Sequence, residues 1–213
     1  IAIVWTLLSL IVSTFLGLWG FLAACVGLLL AWAYSAPPLR LKRNGWLGNA
    51  ACGACYEGLP WFTGALVMSQ SLPDAKILLL ATLYSIGAHG IMTLNDFKSV
   101  QGDRRMGVAS LPVQLGIERA GLLACVVMSV AQVAVIALLI EWDRPSHAAV
   151  ITALLLAQFV LMRRFLARPV ERDVWYNAVG VPLYVLGMLV SALARSEEHT
   201  SELQSPYVIS YAV

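Results

Sequence analysis

Thr93-Leu94-Asn95-Asp96-Phe97-Lys98-Ser99-Val100-Gln101-Gly102-Asp103-Arg104-Arg105-Met106-Gly107 is a charged island between two apolar runs, residues 77–92 and 122–140. Asp96 and Asp103 are seven residues apart, so two helical turns would return them to one face. Asn95, Lys98, Arg104 and Arg105 stand around them. Carboxylates hold a hard cation such as Mg²⁺ through oxygen, and cations and metal together neutralise a diphosphate. The competing reading is a solvated loop between two membrane helices, where short charged loops are ordinary.

The flanking runs are part of a pattern. The chain has 213 residues, 60% hydrophobic and only 12% charged, with a mean hydropathy of +0.78. A soluble domain carries roughly 25% charged residues. The apolar residues fall in long blocks, and the period-two alternation of a membrane barrel is missing. These features predict an all-α, polytopic transmembrane bundle embedded in a lipid bilayer. No nucleic-acid partner is expected. Ile1 opens inside an apolar run without Met or a basic segment, so the start of the chain reads as cut rather than processed. Cys25 and Cys125 lie in apolar runs. Cys52 and Cys55 form a CxxC among Ala and Gly, where small-residue helix packing is the expected role.

Seven spans are predicted, over 1–16, 20–34, 46–69, 74–94, 116–140, 146–166 and 174–194. The first two form a hairpin turning at Gly17-Leu18-Trp19-Gly20. Pro37 and Pro38 end the second span. The loop 35–45 then presents Arg40, Lys42 and Arg43. The third span contains Pro60, expected to kink it. It also contains Glu57, which at membrane depth should face a wet cavity or pair with another helix. His89 reads as a satisfied core histidine. Lys and Arg at 40, 42, 43, 98, 104, 105, 119, 163, 164, 168 and 172 fall on one side, against Lys76 and Arg144 on the other. That bias predicts a cytoplasmic position for loops 35–45, 95–115 and 163–173.

After Ala194 the character changes. Arg195-Ser196-Glu197-Glu198-His199-Thr200-Ser201-Glu202-Leu203-Gln204-Ser205 reads as the in-frame translation of a sequencing-library adapter. Ile209-Ser210-Tyr211-Ala212-Val213 continues it in the same frame. Residues 195–213 are therefore expected to be an artefact with no domain of their own, mobile and disordered. Without them the balance is 13 basic against 9 acidic residues. The true C-terminus is then expected to lie elsewhere.

Several stretches resemble the UbiA-type membrane prenyltransferases, specifically the chlorophyll and bacteriochlorophyll synthases. They are Ala33-Tyr34-Ser35-Ala36-Pro37-Pro38-Leu39-Arg40-Leu41-Lys42-Arg43-Asn44-Gly45-Trp46, Tyr56-Glu57-Gly58-Leu59-Pro60-Trp61, Leu94 to Arg104, Ser110-Leu111-Pro112-Val113 and Tyr176 to Gly187. The resemblance implies nine helices around a cavity open to the membrane, with two aspartate motifs holding Mg²⁺ and a prenyl diphosphate. It implies esterification of a (bacterio)chlorophyllide propionate by a geranylgeranyl or phytyl group, in a bacterial inner, photosynthetic membrane. The seven spans, residues 1–194, would be helices three to nine. The first aspartate motif would lie outside the chain, which is expected to be inactive alone.

Under that resemblance Asp96 and Asp103 are the catalytic pair and, with Asn95, the metal ligands. Lys98, Arg104, Arg40 and Lys42 are the diphosphate-binding cations, and Glu57 and Tyr34 line the substrate cavity. Gln101 stands where the family often has Glu, which removes one anionic ligand. Other readings remain: a related prenyltransferase with a quinone-precursor or haem acceptor, or a non-enzymatic transporter or lipid-binding bundle. The latter has no need for acidic and basic loops at this spacing. Arg105-Met106-Gly107 and Pro112 to Leu115 lean toward the bacterial acceptor.

Overall fold

The computed structural model describes residues 1–203, and the described residues form helices with no β-strand among them. In chain order these are α1 (Ala2–Ser13), α2 (Gly17–Ser35), α3 (Gly45–Gly53), α4 (Leu59–Ser69) and α5 (Ala75–Asn95). There follow two short helices, α6 (Val100–Met106) and α7 (Leu111–Leu115). The chain ends in α8 (Ile117–Glu141), α9 (Pro145–Ala167), α10 (Pro169–Val179) and α11 (Val181–Leu203).

Five helical stretches are long and apolar enough to cross a membrane. The first of these, Ala2–Ser35, is folded in two. A 3₁₀ turn over Thr14–Leu16 leads into Gly17 at φ +74, a backbone angle that side chains resist. Trp32 donates its indole N–H to Thr6 Oγ1 at 3.0 Å, tying the arms into the expected hairpin. The turn sits slightly earlier than the sequence suggested, and Gly17–Gly20 already belongs to α2. The α3–α4 pair supplies the remaining span, so seven segments build an integral membrane bundle.

Pro60 does not act alone in the third span. A π turn over Ala54–Gly58 joins α3 to α4, with Pro60 in the first turn of α4. Proline has no N–H to return to the preceding turn, and a wider turn before it absorbs the loss.

α5 and α8 form the central pair. Gly90 permits their close approach, because a Cβ there would lie 2.7 Å from the Ala124 carbonyl oxygen. Between helices in lipid, such small-residue contact replaces the hydrophobic drive available in water. Leu80, Tyr84, Met128, Phe165, Tyr176 and Tyr184 fill the shared core. Polar side chains cross it in pairs. Gln132 donates to Gln158 Oε1 at 2.5 Å, and Gln158 donates to Tyr176 Oη at 3.2 Å. Tyr84 donates to the Gly187 carbonyl at 3.0 Å. Outer faces expose Leu122, Val130, Leu156 and Val160, as lipid contact demands.

Two sequence expectations need correction. The last span was predicted over 174–194, but the helix breaks at Gly180, one residue before α11 begins. Pro182 restarts it, and the Tyr176 ring packs where a Gly180 side chain would stand. Nor does order stop at residue 194. α11 runs to Leu203, and Arg195 is buried in an ion pair with Asp74 while Glu197 lies 3.6 Å from His147. Ser, Glu and Leu prolong a helix that is already nucleated, so composition alone did not end it. The rest of the tail, 204–213, lies outside the described residues.

Candidate functional site

The polar site is built where two loops meet at one end of the bundle. The first runs from Ala36 into α3. Arg40 has a left-handed backbone, φ +43, and Lys42 and Arg43 follow in a 3₁₀ turn over Leu41–Arg43. Asn44 caps α3, its side-chain oxygen accepting from Trp46 N at 2.9 Å and Leu47 N at 3.2 Å. That bond satisfies the otherwise free first N–H groups of the helix.

The second loop follows α5. A 3₁₀ turn over Asp96–Ser99 leads into α6, and buried Phe97 and Val100 pin it to the core. Phe97 packs against Phe165 with ring centroids 5.8 Å apart, which brings the α9–α10 junction, helical where a loop over 163–173 was expected, to the same end.

The backbone joins the two loops. Ala109 N–H donates to the Arg43 carbonyl at 2.8 Å, and Gly45 N–H donates to the Ala109 carbonyl at 2.8 Å. Arg43 Nη2 also reaches the Gly107 carbonyl at 3.4 Å. The sequence predicted a common face; the structure adds direct bonding between the loops.

Asp96 and Asp103 are brought together, though not by the uninterrupted helix that their spacing suggested. The 3₁₀ turn intervenes, and Ser99 bridges it. Its hydroxyl lies 2.8 Å from Asp103 Oδ2 and 3.0 Å from the Asp96 carbonyl oxygen. Asp96 is the first residue past the spanning helix α5. Burial pushes its carboxyl up to about 6; a hydrogen bond from Asn49 opposes the shift, and the Asp103 charge adds to it. Asn95 is half-buried beside it. Lys98 and Arg104 are exposed on the aspartate loop and Arg40 and Lys42 on the basic loop, and among the described residues no side-chain hydrogen bond fixes them to the aspartates.

Tyr34 and Glu57 occupy different places. Tyr34 lies near Cys52 and close enough to Asp96 to feel its charge. Glu57 lies near Trp61, Tyr84 and Tyr184. Eight residues along the helix from Asn49, it lies roughly 12 Å deeper at 1.5 Å per residue. It meets aromatic groups there rather than a cation. Tyr176 and Tyr184 are themselves fully buried in helix packing.

Sequence reasoning missed Asn49, which is 7% exposed. Its Nδ2 lies 3.2 Å from Thr93 Oγ1 and 3.4 Å from Asp96 Oδ2. The available signal was one amide in the small-residue run Gly48-Asn49-Ala50-Ala51. Ser99 was not singled out either. Among the described residues no group of three or more His, Cys, Asp or Glu side chains is placed to hold a metal. The site therefore offers two carboxylates and nearby amides, a partial shell of hard oxygen donors.

Fold and site together define a polytopic helical membrane protein with a basic loop bonded to an aspartate-bearing loop at one end. The profile of the UbiA prenyltransferase family matches residues 1–194, and the chain belongs to that family. It is 57% identical over 194 residues to the bacteriochlorophyll synthase 33 kDa chain of Cereibacter sphaeroides, covering 91% of this chain and 64% of that protein. It is 45% identical over 177 residues to the chloroplastic chlorophyll synthase of Oryza sativa subsp. japonica, covering 83% of this chain and 46% of that one. The chain thus spans less than two thirds of the length of these curated relatives. A solved structure concerning digeranylgeranylglyceryl phosphate synthase superposes with a TM-score of 0.67. It covers 89% of this chain and 66% of that chain at 18% identity, a likeness of fold.

Proposed function

We propose that this protein transfers a prenyl group, geranylgeranyl or phytyl, from its diphosphate to the propionate of a chlorophyllide-type pigment. The observation that carries the reading is the bonding of the basic loop to the aspartate loop at one end of a UbiA fold. The 57% identical bacteriochlorophyll synthase supports the pigment as acceptor and favours bacteriochlorophyllide.

In this reading Asp96, Asp103 and Asn95 hold a divalent cation, and their oxygen donors suit Mg²⁺ better than a softer metal. When bound, the cation supplies positive charge to the departing diphosphate. Lys98, Arg104, Arg40 and Lys42 bind the same phosphates and meet the negative charge as it develops. The C–O bond to diphosphate breaks while a propionate oxygen bonds the allylic carbon. The propionate is already ionised near neutral pH, so no base need remove a proton from it. Tyr34 lies at the mouth to orient the reacting groups, and Glu57 with Trp61 lines the deeper acceptor region. The apolar walls exclude water, which would otherwise capture the carbon.

The excess of Lys and Arg at the loop end supports a cytoplasmic site, and the likeness to a bacteriochlorophyll synthase supports a bacterial photosynthetic membrane. The family profile and the alignment with the C. sphaeroides protein span 194 residues, which supports an adapter origin for 195–213. The test is incorporation of labelled geranylgeranyl diphosphate by membranes carrying the full-length protein. Mg²⁺-dependent formation of pigment ester is expected. Labelling of a quinone precursor or haem instead, or transport without transfer, would overturn the proposal.

A further inference from the structure

We propose that Asn49 is the positioning residue for Asp96: it holds one carboxylate oxygen so that the other is presented to the cation. This rests on reading Asp96 as a cation ligand. Asn49 sits in α3, on the far side of a helix contact from the aspartate, and its side chain is almost wholly buried. Two hydrogen bonds leave its amide nitrogen. One goes to Thr93 Oγ1 at 3.2 Å and the other to Asp96 Oδ2 at 3.4 Å.

Thr93 fixes which way the amide faces. The threonine hydroxyl donates to the His89 carbonyl at 2.8 Å, so its one proton is committed. Toward Asn49 it can only accept, and the group facing it must be NH₂ rather than carbonyl oxygen. The second N–H of the same NH₂ group is then directed at Asp96 Oδ2. A carboxylate rotates freely about its terminal torsion unless an oxygen is held. Asn49 holds one oxygen without adding charge, which leaves the other free to meet a cation.

Asn49 also belongs to the helix that the basic loop caps, whereas Asp96 follows α5. The amide therefore sets the side-chain angle between loops whose backbones are joined through Ala109. A filler role would need only the volume of Asn49, and the committed Thr93 proton has no part in it.

The test uses the full-length protein and measures prenyl transfer against Mg²⁺ concentration and, without substrate, the Mg²⁺ concentration that half-saturates the rise in melting temperature; the two should shift together. Asn49→Leu keeps the volume and removes the donors. The Mg²⁺ needed for half-maximal rate should rise about tenfold to a hundredfold, as for loss of a bond to a charged group. The rate at saturating Mg²⁺ should return to within about threefold of the parent, because the other ligands remain. Thr93→Val should shift the requirement in the same direction by about threefold, since it only loosens the amide. A lowered maximal rate with unchanged Mg²⁺ requirement would show a packing role and overturn the proposal. If Asn49→Leu fails to insert, Thr93→Val decides alone, and an unshifted requirement overturns it. Asp96→Asn separates this from the underlying reading: an active Asp96→Asn enzyme sinks the ligand assignment itself, while an inactive one with an indifferent Asn49→Leu sinks only the positioning role.

Discussion

The amide of Ala109 donates to the carbonyl of Arg43 across 2.8 Å, joining two loops that are far apart in sequence. Gly45 completes the clasp, and it is buried. A Cβ there would lie 2.5 Å from the backbone nitrogen of Leu111. Gly45→Ala should therefore part the loops without removing a charged group. Turnover is expected to fall roughly tenfold to a hundredfold from misplacement alone. Membrane insertion, read by protease protection, should be retained. Parent-like turnover would show that the clasp does not position the site.

Asp96→Asn and Asp103→Asn each remove anionic charge from the mouth. A lost transition-state contact of this kind costs several kcal/mol, so a fall of ~100-fold or more is expected in each. Near-normal rates in both would end the aspartate assignment. Gln101 is exposed on α6, two residues before Asp103. Gln101→Glu should hold or raise the rate if that position assists the metal, and a severe loss would rule it out.

The raised carboxyl of Asp96 gives the cation a pH-dependent competitor. Its value of about 6 in the cation-free site means that protons displace the metal as pH falls through about 6. The Mg²⁺ requirement should be flat above about pH 7 and climb about tenfold per unit below about pH 6. The effect on stability without metal has the opposite sense. An unfolded Asp titrates near ~4, so the cation-free fold loses stability as pH rises from there to about 6. Thermal unfolding with and without Mg²⁺ reads both effects. A Mg²⁺ requirement independent of pH would contradict the burial of this carboxyl.

Tyr176 serves the core rather than the mouth. It stacks on Phe165 with centroids 5.1 Å apart and accepts from Gln158. Tyr176→Phe should strand a buried Gln158 N–H and cost about 0.6–1.7 kcal/mol, the usual scale between membrane helices. The expected result is a lower melting temperature in detergent with unchanged turnover per folded molecule. Lost turnover at unchanged stability would move Tyr176 into the acceptor site.

The spans were legible because lipid imposes a simple rule on them: long apolar runs closed by Pro, Gly or charge. The pairing of Asp96 with Asp103 was legible from spacing, although Ser99 and a 3₁₀ turn do the joining. Asn49 was not, because its importance comes from meeting Thr93 and Asp96 across a helix contact. A local pattern holds no trace of such a meeting. Glu57 stood out as costly in lipid, but its Trp61 and tyrosine neighbours come from three helices. The course of α11 past Ala194 was misread because a change in composition is not a helix stop signal.

The π turn over Ala54–Gly58 carries an implication for how such a helix changes in length. One extra residue is taken up within a single turn, so the helix on either side keeps its own facing. Asn49 stays turned to Asp96 before it, and Trp61 stays against Tyr84 after it. Loss of that extra residue would restore plain α geometry here without turning either half, where anywhere else in the span it would swing every later side chain by about 100°. The turn is a place where this helix can be shortened by one residue without disturbing the chemistry at one end or the packing at the other.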